Sequence, residues 1–207
     1  MAQEAALAGA EKLRSDMHQM CQQAIDMLKL TWEGFKTQEV ALLQQAESLG
    51  QQLHQQEKAG TAFAMPSLGG RTVGHDLSFV PLHLERIGDN IELMVRALTR
   101  VIRDGIPFTE RAIGELHILF TKAIELLECV RDAIATQNRI LVHYVQTAGQ
   151  HYGDMVNEYA LSHQQRLIEG LCLPKASSVF VALLDYLKGI VSHISQITNK
   201  LSCEAAG

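Results

Sequence analysis

The densest chemistry in the chain lies in one run of residues: His83, Leu84, Glu85, Arg86, Ile87, Gly88, Asp89, Asn90, Ile91 and Glu92. Glu85, Asp89 and Glu92 stand at i, i+4 and i+7, so on a helix their carboxylates line one edge beside an apolar seam. Hard oxygen donors in such a row could face a divalent cation. The same spacing also describes a solvated face in which Arg86 and Arg96 are interleaved with the acids as intrahelical partners. Other chemistries fail on spacing. A di-iron carboxylate site needs Glu-x-x-His pairs on facing helices, and no histidine here follows a glutamate by three residues. His75 and His83 lie eight residues apart, as do His143 and His151, which is not the i, i+4 spacing of a two-histidine helix site. No Gly-x-Ser-x-Gly elbow is present. The run Gly69, Gly70, Arg71, Thr72, Val73, Gly74 could offer backbone N–H groups to an anion at a helix start, but it lacks the Gly-Lys-Ser/Thr ending of a phosphate loop and reads as an interhelical connection. Cys21, Cys129, Cys172 and Cys203 are scattered, with neither zinc-site nor disulfide-scaffold spacing, and read as buried free thiols.

The elements that must carry these residues are helices. Apolar residues recur at helical spacing through six segments. Met17, Cys21, Ala24, Leu28, Thr31 and Phe35 set a first helix from Glu11 to Lys36, and a second runs from Glu39 to Glu57. Gly60 to Gly74, with Pro66, reads as the longest loop. The third helix, Val73 to Arg103, carries Leu77, Val80, Leu84, Ile87, Ile91, Met94, Leu98 and Val101 in three-four alternation, the seam of a bundle. Asp104, Gly105 and Pro107 end it, and Thr109 is the expected cap of a fourth helix.

The fourth helix opens a second copy. A shift of 99 lays Ala24-Ile25-Asp26-Met27-Leu28 on Ala123-Ile124-Glu125-Leu126-Leu127, Thr37-Gln38 on Thr136-Gln137, and Gly50-Gln51 on Gly149-Gln150. A shift of 103 lays Leu77, Val80, Leu84, Ile87, Ile91, Met94 and Leu98 on Phe180, Leu183, Leu187, Ile190, Ile194, Ile197 and Leu201. Thr-Gln and Gly-Gln are not stripe positions, so sliding two amphipathic patterns past each other does not explain them. The expected fold is all-α, a tandem repeat of two three-helix bundles over 11–103 and 109–202.

Leu84-Glu85-Arg86-Ile87-Gly88-Asp89 resembles the signature of the PhoU family of phosphate-uptake regulators, a Leu-Glu-Arg-Ile-Gly/Ala-Asp run on the third helix of each of two three-helix bundles. The resemblance spans Glu11 to Leu201. It implies a cytoplasmic regulator that damps phosphate uptake and the starvation response through contacts with a phosphate ABC transporter and a sensor histidine kinase, peripheral to the membrane through those partners. It also implies iron or zinc held by the acids of the motif and of the preceding helix. In this chain the second copy has Lys188 and Ser192 where Glu and Asp are expected. On the second helix of each half, Leu49-Gly50 and Ala148-Gly149 stand near the place of an acidic pair. Any metal is therefore expected at Glu85 and Asp89 and not at Lys188 and Ser192, whose cation would repel it.

Composition narrows the classes further. A formal net charge of −5 with pI near 6.0 leaves no basic stripe for a phosphate backbone, so nucleic acid is not the expected partner. The N-terminal residues show no signal-peptide pattern, and no uncharged apolar run reaches the roughly 18 residues of a membrane span. With no nucleophile or acid–base constellation, an enzyme is not expected. The alternatives to a phosphate regulator are an accessory bundle serving another transporter and a structural or metal-binding bundle. The long seam also suits a homodimer, although helices inside one monomer carry the same seam.

Overall fold

The computed structural model describes residues 2–64 and 77–204. Those residues form six α-helices and one 3-10 turn, with no strand among them. The helices are α1 (Ala2–Thr37), α2 (Val40–Ala64), α3 (Val80–Arg103), α4 (Glu110–Thr136), α5 (Arg139–Ile168) and α6 (Pro174–Glu204). The fold is all-α.

Three boundaries differ from the sequence expectation. The first helix starts at Ala2 and not at Glu11, since the alanine-rich run before Glu11 favours helix. The second helix runs on to Ala64 instead of stopping at Glu57, because Lys58, Ala59, Ala62 and Ala64 favour helix and outweigh the roughly 1 kcal/mol cost of Gly60. The third helix begins at Val80, preceded by the 3-10 turn Leu77–Phe79. Pro81 sits in its first turn, where a missing N–H costs nothing. Residues 65–76, including the Gly69 to Gly74 run, lie outside the described residues.

The joints explain the matches that the apolar stripe does not. Gln38 and Gln137 both adopt left-handed backbone, with φ of 61° and 54°, so each Thr-Gln pair is the same turn between the first and second helix of its half. Gly50 and Gly149 mark a second shared device. A Cβ on Gly50 would lie 2.5 Å from a Glu92 carboxylate oxygen, and one on Gly149 would lie 2.9 Å from Ser195 Oγ. Each glycine thus lets the third helix of its half approach the second. Thr109 caps α4, its side chain accepting from the Ala112 N–H at 3.2 Å, and Asn138 caps α5 by accepting from Ile140 N–H at 2.9 Å.

Within each half the three helices pack on one another, and like elements then meet across the halves: α1 lies on α4 and α3 on α6. Both contacts are antiparallel. Gln22, Lys29 and Trp32 meet Arg131, Glu128 and Phe120 in turn, while Phe79, His83 and Asn90 meet Lys200, His193 and Gly189. One continuous apolar core runs through both halves, with Ile87 and Ile190 both fully buried in it. Among the described residues α6 is the helix long and apolar enough, by length and composition, to cross a membrane. Its apolar side is core here: Phe180, Leu183, Leu187, Ile190, Ile194 and Ile197 are buried. The cysteines divide. Cys21 is buried, whereas Cys129 and Cys172 are half-exposed, contrary to the expectation of uniformly buried thiols; the side chain of Cys203 lies outside the described residues.

Candidate functional site

The motif lies on α3, whose seam residues Leu84, Ile87, Ile91 and Met94 are driven into the core and leave the acids on its flank. Glu85 is the more enclosed, its side chain 12% exposed. His54 Nδ1 of α2 lies 3.0 Å from one of its oxygens, and Arg86 Nε lies 3.7 Å from the other. Asp89 receives Arg86 Nη1 at 3.1 Å, and Glu92 receives Arg96 at 3.0 Å. Each carboxylate expected to face a cation thus faces a basic side chain of the protein itself.

The second copy shows what the position does. Lys188 donates to Asn157 Oδ1 at 3.0 Å, across a sequence separation of 31 residues, the same separation as His54 from Glu85. Both pairs clasp the third helix of a half to its second, although on α5 the partner Asn157 stands about one turn beyond Gly153, the counterpart of His54 under the shift of 99. The charge has reversed and the clasp has stayed.

A cluster of iron or zinc does not fit this donor set. Its acids are matched by Arg86, Arg96 and His54, its second copy offers Lys188 and Ser192, and among the described residues no three His, Cys, Asp or Glu side chains converge on a common point. The sequence-expected pair Glu85 and Asp89 is bracketed by Arg86.

Two groupings were not visible in the sequence. The first joins the halves: His83 of α3 and His193 of α6 meet Nδ1 to Nδ1 at 3.3 Å. Burial, and then the neighbouring His193 and Lys200, hold His83 below the usual histidine range. Burial and Arg86 do the same for His193, with Asp89 opposing. No spacing rule links residues 83 and 193; only the packing of α3 on α6 does.

The second closes one end of the second half. Glu115 of α4 and Arg166 of α5 form a buried two-pronged pair at 2.6 and 2.8 Å. Arg111 adds a bond to Glu115 at 3.2 Å, and Ser162 accepts from Arg166 at 2.9 Å. Arg166 can only donate, so its contact with His163 Nδ1 at 3.5 Å leaves Nε2 to carry the ring proton toward Ser177 Oγ, 2.8 Å away on α6. The His163 ring stacks on Phe180 at 4.3 Å. Burial first, and Arg166 second, depress its pKa, while Glu115 pulls the other way. A cavity of about 130 Å³ opens alongside, lined by Phe108, His163, Cys172, Leu173 and Phe180 among others. This network ties α4, α5 and α6 together with hydrogen bonds where the apolar core ends.

No family model matches the sequence, and no curated protein matches it. Solved structures do. The chain superposes on PhoU from Pseudomonas aeruginosa with a TM-score of 0.88 at 17% identity, covering 97% of this chain and 98% of that one. It superposes on a PhoU-like phosphate regulatory protein from Shewanella oneidensis MR-1 with a TM-score of 0.65 at 12% identity, covering 94% and 99%. A second structure described as a PhoU-like protein from Shewanella oneidensis MR-1 matches at the same values. The described residues of this chain have the fold of PhoU.

Proposed function

We infer that this chain is a regulator of phosphate transport that works by binding other proteins, a phosphate ABC transporter and its sensor histidine kinase, and so sits at the membrane surface through them. The observation that carries the reading is the near-complete superposition on PhoU, and the Leu84 to Asp89 run on α3, which resembles the PhoU signature, supports it. Glu85 clasps α3 to α2 and Asp89 pairs with Arg86 on its own helix, so the surface of the bundle, and not a metal cluster, is what this reading assigns to the partners. Regulation by such a protein is a difference in affinity between two partner states rather than a chemical step.

The test is affinity capture of the tagged chain from its own cells at high and low phosphate, beside phosphate uptake in a deletion strain. A phosphate transporter subunit or sensor kinase recovered in a phosphate-dependent way, with altered uptake in the deletion, is the expected result. A different transporter recovered with unchanged phosphate uptake favours the second reading, an accessory bundle for another solute. The reversal of charge at Lys188 is the observation that favours that alternative. Unchanged uptake with no transport or signalling protein captured rejects both.

A further inference from the structure

At the crossing of α3 and α6, His83 and His193 face one another with ring centroids 5.6 Å apart and Nδ1 atoms 3.3 Å apart. Both rings are half-buried. Two neutral imidazoles in this arrangement share one proton, one Nδ1–H donating to the lone pair of the other. That separation has a second meaning. Zinc holds imidazole nitrogens at about 2.0–2.1 Å in tetrahedral geometry, which places any two of them about 3.3–3.4 Å apart. The two nitrogens therefore already stand one tetrahedral edge apart, on helices that belong to different halves of the molecule.

We propose that His83 and His193 form a site for a divalent cation of the zinc class, bound by one imidazole from each half of the chain. In the metal-free protein the nitrogens point at each other. Binding turns each ring by about 35° so that both lone pairs meet at the ion, and the donating ring moves its proton to Nε2. Among the described residues no third His, Cys, Asp or Glu joins them, so the pair supplies two of the four positions of a tetrahedral shell. Asp89 lies near enough to favour positive charge at His193, whereas Arg86 beside His193 and Lys200 beside His83 oppose it. An open site with two neutral protein ligands holds its ion more loosely than a closed four-ligand site, so its occupancy follows the free metal concentration. When loaded it pins α3 to α6. This site is separate from Glu85 and Asp89, which Arg86 already engages.

Titration calorimetry of Zn²⁺ into the full chain tests it, in the wild type, in His83→Gln, in His193→Gln, and in the double variant Glu85→Gln with Asp89→Asn. The expected result is one saturable equivalent that disappears in each histidine variant and survives in the carboxylate variant, weakened by the loss of the Asp89 charge. Circular dichroism checks that each variant keeps its helices. Imidazole ¹⁵N NMR of the unsubstituted protein gives an independent readout, in which Zn²⁺ shifts the Nδ1 resonances of both rings. The proposal is overturned by a wild type without a saturable site, by binding that persists in both histidine variants, or by Nδ1 signals that do not move. Loss of binding in the carboxylate variant alone would overturn it in favour of Glu85 and Asp89.

Discussion

Removing Glu115 isolates a buried charge at the end of the core. Both members of the Glu115 and Arg166 pair are almost fully enclosed, with side chains 8% and 9% exposed. Glu115→Ala removes two hydrogen bonds from Arg166 and one from Arg111. Arg111 is exposed enough to turn to water. Arg166 is not: its Nε has no partner even in the intact protein, and after the change Ser162, the long contact to His163 and Cys172 remain, none of them a carboxylate. An uncompensated buried guanidinium costs about 3–5 kcal/mol. Glu115→Gln keeps an acceptor while losing the charge, and should cost about 1.5–3 kcal/mol, the worth of a charged hydrogen bond. Replacing both residues by leucine removes the desolvated charge together with its partner and should bring stability back to within about 1 kcal/mol of wild type, since apolar substitutes for buried pairs are often neutral or better. Urea unfolding followed by circular dichroism measures all three. If Glu115→Ala costs less than about 1 kcal/mol, or if the double leucine variant is worse than the single alanine variant, Arg166 reaches water and the argument fails.

Three further outcomes follow from the packing. Ile87→Ala and Ile190→Ala should each cost about 2–5 kcal/mol in urea unfolding, since both side chains are fully buried at equivalent places; a large difference between them would break the equivalence of the halves. Gly114→Ala should stabilise by up to about 1 kcal/mol, a Cβ there meeting nothing within 4 Å, whereas Gly88→Ala should destabilise, because its Cβ would lie 2.6 Å from Cδ2 of the buried Leu53; equal melting shifts would contradict this. His163 has a depressed pKa in the folded protein, so the unfolded chain takes up its proton first as pH falls. Stability that is intact above about pH 6.5 should decline below it, until the folded pKa is passed. His163→Gln should flatten that decline, and an unchanged slope would point to other groups.

Much of this molecule is legible in its sequence because the legible features are local and periodic. The seam from Leu77 to Leu98 and its copy from Phe180 to Leu201 need only a 3.6-residue repeat to be read, and Thr109 declares its cap by residue type. The Thr-Gln and Gly-Gln matches were visible as signs of duplication, but their meaning was not. Left-handed backbone at Gln38 and Gln137, and the approach of a third helix to Gly50 and Gly149, are properties of conformation and packing. The site was less legible for the same reason. Arg86 beside Asp89 could be read from the spacing of one helix, whereas the His54 that α2 brings to Glu85 could not. The pairing of Glu115 with Arg166, and of His83 with His193, joins residues on different helices with no spacing rule to announce it. Helix ends were misread where weak preferences compete, at Ala2, Ala64 and Val80.

The like-on-like contacts of α1 with α4 and α3 with α6 have a consequence for how this chain can change. Two separate copies meeting through such isologous faces would form a homodimer, in which every substitution appears twice and any mismatch at the axis is met by itself. Tethering the copies in one polypeptide replaces a concentration-dependent association by an internal one, held together at an effective concentration in the millimolar range or above. It also releases the copies from identity. Lys188 could then arise in the second copy without forcing a lysine on the place of Glu85 in the first. A partner that docks on such a molecule meets two different ends on a near-symmetric frame, and its orientation is therefore decided by the asymmetry alone.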